Sequence, residues 1–129
     1  MKNINFFLVV FILSAIVRGQ GVSLKIYNRT GCALDSVVMG SIIIGHIPKD
    51  SIKVITHLNE LVMLGDVPLR RPSGIADGRK TKTFLAECAT KSKKINSGTY
   101  PVDLLLKEDA GILRLEWRPH QTEKTKQGR

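Results

Sequence analysis

The residues that chemistry would need first are few. His57 and Glu60 stand in an H-x-x-E spacing, with His46 a short way upstream. A zinc site wants three or four converging ligands held by a second shell, and here only His46 and His57 come within reach of one another, on neighbouring predicted strands. No metal and no cofactor is expected. His46, inside an apolar run, reads as a hydrogen-bonded core histidine and His57 as a surface one, while His120 falls in the polar C-terminal stretch. Nucleophilic catalysis requires a nucleophile with a base placed to take its proton. Ser36, Ser41, Ser51 and Ser73 each lack a recognisable elbow, and GIADGR, residues 74–79, has neither the flanking elements nor the lysine spacing of a phosphate cradle.

Asp103 and Glu116 are the carboxylate pair to ask about, because a tight EDAG turn, residues 108–111, places them on adjacent strands. Glycoside chemistry would use such a pair. Both alternate outward beside Lys107 and Arg114, however, and cross-strand charge pairing on a solvated face accounts for them. The chain therefore reads as noncatalytic, with a small extracytoplasmic hydrolase as the alternative. Asn28-Arg29-Thr30 is a glycosylation sequon in a eukaryotic secretory host and a turn elsewhere.

The strongest chemical signal is positive charge. The chain carries 20 basic and 11 acidic residues. Between positions 70 and 94 lie Arg70, Arg71, Arg79, Lys80, Lys82, Lys91, Lys93 and Lys94 against only Asp77 and Glu87. These eight bases are the candidate binding residues, converging at one end of a sandwich to attract an acidic polymer or acidic protein. The competing and preferred account of the lysines is that they are gatekeepers in loops flanking an apolar strand, Thr83 to Ala89. Sequence-specific nucleic-acid recognition is not expected, since neither a reading helix nor interleaved aromatics are present.

The first residues, MKNINFFLVVFILSAIVRGQ, have a basic start, an apolar run from Phe6 to Val17 and small residues near Gly19. This is the pattern of a signal peptide, residues 1–19. The run is shorter than the roughly 20 residues of a spanning helix, so a secreted or periplasmic protein without a transmembrane anchor is expected. Removal of the leader leaves 110 residues with net charge +7, enough for one domain. Cys32 and Cys88 both lie in that part, and an even count in an exported chain suggests a single disulfide.

The elements that must position these residues are strands. Val22, Leu24 and Ile26 alternate with Ser23, Lys25 and Tyr27, the period of a half-buried strand. Leu34 to Met39 is a second strand, Ile42 to Ile47 a third that is apolar on both faces and so central, and Ile52 to His57 a fourth. Leu58 to Leu64 is strand or a single turn. Gly65 to Arg79 reads as one long loop with two prolines and three glycines. Thr83 to Ala89, then Tyr100 to Lys107 and Ile112 to Trp117 complete about seven short strands. Their spacing predicts an all-β fold, a small antiparallel sandwich over residues 20–117, immunoglobulin-like in its general form and closed by the disulfide. Residues 118–129 form a basic disordered tail.

NRTGCALDSVVMG, SGTYPVDLLL and GILRLEW together resemble small exported bacterial β-sandwich proteins of uncharacterised function. The resemblance implies the fold and brings no site residues. The expected function is an exported binding or interaction module; a structural envelope protein is a further alternative.

Overall fold

The computed structural model describes residues 21–83 and 91–122. The expected signal peptide, Cys88, most of the expected Thr83–Ala89 strand and the end of the expected tail lie outside the described residues. Cys32 makes no disulfide among the described residues, and the expected Cys32–Cys88 bridge falls outside them.

The protein is all-β. Strand β1 (Gly21–Asn28) alternates as its sequence demands, with Val22, Leu24 and Ile26 fully buried. It pairs antiparallel with β4 (Ile52–Leu58) and parallel with β10 (Ser97–Asp109), which in turn pairs antiparallel with β11 (Ile112–Pro119). The first sheet therefore has the order β11-β10-β1-β4. Parallel neighbours cannot be joined by a tight turn. The chain between β1 and β10 uses that obligatory crossover to build two further antiparallel sheets. One has the order β3-β2-β7-β8, from β2 (Leu34–Met39), β3 (Ile42–Ile47), β7 (Pro72–Ala76) and β8 (Arg79–Lys80). The other has the order β6-β5-β9, from β5 (Leu61–Leu64), β6 (Val67–Pro68) and β9 (Ser92–Ile95). Leu24, Ile26, Leu34, Met39, Met63 and Leu104, drawn from all three sheets, meet in one core.

Several expectations are corrected. Among the described residues eleven strands form three sheets where about seven strands were expected, and one pairing is parallel. The stretch Gly65 to Arg79 is not a long loop. It contains β6, β7 and the start of β8, with Asp77 (φ 51°) and Gly78 (φ 74°) forming the tight β7–β8 turn. Two consecutive positive φ angles are what a two-residue hairpin turn matched to strand twist requires. Strand β3 is an edge strand, not a central one, and leaves Ile43 79% exposed. A register shift between β2 and β3, with Gly45 at φ 85°, breaks its alternation and turns His46 out to solvent. Nor does the chain leave the domain at Trp117, because β11 runs on to Pro119 and His120 packs back onto the first sheet.

Candidate functional site

The eight bases do not converge. Arg79 donates to Glu108 Oε1 and to the Gly111 carbonyl, which ties the β7–β8 turn to the β10–β11 turn. Lys82 follows along β11, its amide donating to the Leu113 carbonyl at 2.8 Å. Arg79, Lys80 and Lys82 thus sit beside the far end of β10. Lys93 and Lys94 lie on β9, opposite Met63 and Val62 and just ahead of Ser97, where β10 begins. Lys91 immediately precedes that strand. Thirteen residues of extended chain span roughly 40 Å, so the bases form two groups toward opposite ends of β10. Arg70 and Arg71 lie between β6 and β7.

The lysine fence is partly strand. Lys93 and Lys94 lie within β9 and are exposed, although Lys93 stands opposite buried Met63. The fence was expected to lie in loops.

The other candidates are dispersed. His46 Nδ1 hydrogen-bonds to Asp35 Oδ1, while His57 lies on a different sheet and lines the cleft beside Arg70. Among the described residues no group of three or more His, Cys, Asp or Glu could hold a metal ion. Ser36 occupies the bulge in β2 at φ 49°, Ser51 donates to the Pro48 carbonyl, and Ser73 lies within β7. Ser41 and His57 line a common cleft but share no hydrogen bond. Glu116 pairs with Lys107 at 3.2 Å, the cross-strand pairing expected of it.

Asp103 is the residue that sequence reasoning misplaced. It is 1% exposed, held in a row between Tyr27 on β1 and Arg118 on β11. His120 Nδ1 lies 2.7 Å from its Oδ1, Arg118 3.5 Å from its Oδ2 and Arg29 3.9 Å away. The His120 ring stacks on Tyr27 with centroids 3.9 Å apart. Burial on its own pushes the Asp103 carboxyl up, but the His120 hydrogen bond, the Gln121 amide and the charges of His120 and Arg29 outweigh it and hold the carboxyl below its ordinary range. Its partners come from two segments distant in sequence, the end of β1 and residues 118–121, which is why strand alternation alone placed it in solvent.

The sequon is also structural. Asn28 is 2% exposed; its Nδ2 donates to the carbonyls of Cys32, Ile47 and Pro48, and its Oδ1 accepts from the amide and hydroxyl of Thr30. Asn and Thr are thus spaced as a sequon because together they lock the turn after β1 against the β3–β4 turn. A sugar on Nδ2 would have to displace those carbonyls.

No family model matches the chain, and neither a curated protein nor a solved structure matches it. No helix of the described residues is long and apolar enough to cross a membrane.

Proposed function

We propose that this protein is an exported, noncatalytic binding module that engages an extended acidic polymer through two separate basic groups. The observation that carries the reading is the pairing pattern of its charges. Among the described acids, Asp103, Glu108 and Glu116 are each engaged by a cation and Asp35 by the His46 ring, while Asp50, Glu60, Asp66, Asp77 and Asp109 take part in no ion pair. Arg71, Lys80, Lys82, Lys91, Lys93 and Lys94 are exposed and take part in no ion pair among the described residues. The positive surplus is therefore available to a partner. Two groups toward opposite ends of β10 suit a long polyanion better than a compact acidic surface, because a tethered second contact forms at high effective concentration. Export, a sandwich-like packing of the sheets and the Cys32–Cys88 bridge belong to the same reading.

Retention on immobilised polyglutamate across a salt series tests it. Lys93→Gln with Lys94→Gln, and Lys80→Gln with Lys82→Gln, are each expected to lower the eluting salt concentration, and all four together to lower it further. Short glutamate oligomers that cannot reach both groups should bind the wild type no better than a single-group variant. Unchanged retention of the fourfold variant would overturn the proposal.

A further inference from the structure

An open cleft of about 460 Å³ lies where the β2–β3 turn, the β4–β5 turn and Arg70 meet. Its floor is apolar, with Met39 and Leu61 nearly fully buried and Ile42 beside them. Its walls carry charges of both signs: Arg70 on one segment, Glu60 on another. The two line the same cleft, yet no ion pair joins them.

Arg70 is held in place from both ends. Trp117 Nε1 donates to its carbonyl at 2.9 Å, fixing the backbone. Its side chain runs across Gly40, where a Cβ would come within 2.6 Å of Cδ and 3.2 Å of Nε. Gly40 thus provides the space the arginine stem occupies, and its own φ of 60° suits the tight turn it starts. The guanidinium so placed has no acidic partner among the described residues. His57 reaches the cleft from the irregularity in β4, where the register with β1 shifts and its own φ is 61°. A bulge re-aims a side chain, and a histidine in the left-handed region is a strained choice kept where surrounding structure fixes it.

We propose that this cleft binds a short apolar peptide by both of its free ends, with the carboxylate on Arg70, the ammonium on Glu60 and an apolar side chain over Met39, Ile42 and Leu61. The guanidinium matches a carboxylate with two parallel hydrogen bonds. Opposite poles over an apolar floor select a zwitterion with an apolar body over a simple anion, which Glu60 repels, and over a simple amine, which Arg70 repels. This goes beyond the polyanion reading and assigns Arg70 a different task from the exposed lysines.

Titration calorimetry on the full chain with leucine, dileucine and trileucine, whose charged ends lie progressively further apart, tests the assignment. At least one member should bind saturably, and acetylating its amine or amidating its carboxylate should each weaken binding by about tenfold. Arg70→Ala should remove sensitivity to the carboxylate block, and Glu60→Gln sensitivity to the amine block. Glu60 is exposed on a turn, so the second variant reads out binding even if the first loses stability. No saturable binding by any of the three, or equal binding of free and blocked peptides, overturns the inference. Neither result bears on polyglutamate retention, whose variants leave the cleft intact.

Discussion

Asn28 uses both of its polar atoms to hold backbone from three places, and no other side chain type supplies the same donors and acceptor at that length. Asn28→Ala leaves the carbonyls of Ile47 and Pro48 without their donor in a buried joint, at a cost of about 2–4 kcal/mol. A fall in the urea midpoint at unchanged slope is the expected result. Asn28→Asp should cost more, since a carboxylate then faces those carbonyls. Asp103 leads to a pH-dependent prediction. Its folded carboxyl titrates below the ordinary value of 3.8, so its ionised form is favoured by folding. That contribution is complete above pH 3.8 and is lost as pH falls through the lower folded value. Asp103→Asn should therefore lower stability by about 2 kcal/mol near neutrality, and the gap between the two proteins should close below pH 3.8 in thermal melts. A gap that does not narrow as pH falls below 3.8 would show that packing and not charge is what Asp103 supplies.

Among the elements, the tight turns decide where strands begin. Ala110 at φ 50° and Gly111 at φ 79° form the β10–β11 turn. An alanine in the left-handed region is strained by its Cβ. Ala110→Asn creates the Asn-Gly pair that this turn type favours, and should stabilise by about 0.5–1 kcal/mol, read as a rise in Tm of about 2–6 °C. The strands around this turn were legible, as were β2 and β3 to the residue, because each has a local alternation or a glycine at its boundary. The Asp77-Gly78 hairpin carried an equally local signal, and was obscured by the prolines at 68 and 72, which sit at strand ends where no ladder donor is needed. What alternation could not reveal was pairing. The edge position of β3, the parallel partner of β10 and the burial of Asp103 all depend on which distant strand lies alongside. The candidate site was legible only as a count of charges. Two groups toward opposite ends of β10, and a cleft that gathers Arg70 with Glu60, are consequences of topology.

At the scale of the whole molecule, the C-terminal boundary of the domain decides how its charge can be tested. Removing everything after Trp117 deletes Arg118 and His120 along with the basic tail. Those two residues cover Asp103, and the His120 ring covers Tyr27. Without them a buried carboxylate keeps Arg29, 3.9 Å away, as its remaining cation among the described residues, and an aromatic face is opened to water. The chain ending at Trp117 should therefore be less stable than the chain ending at Thr122 by about 2–4 kcal/mol. Denaturant midpoints of the two, measured side by side, check this. Equal midpoints would mean that neither Arg118 nor His120 contributes to folding, and that Arg29 suffices for Asp103. If the midpoints separate as expected, loss of polyglutamate retention in the shorter chain reports unfolding as much as lost charge. The chain ending at Thr122 is then the one in which the exposed lysines can be neutralised and their binding measured.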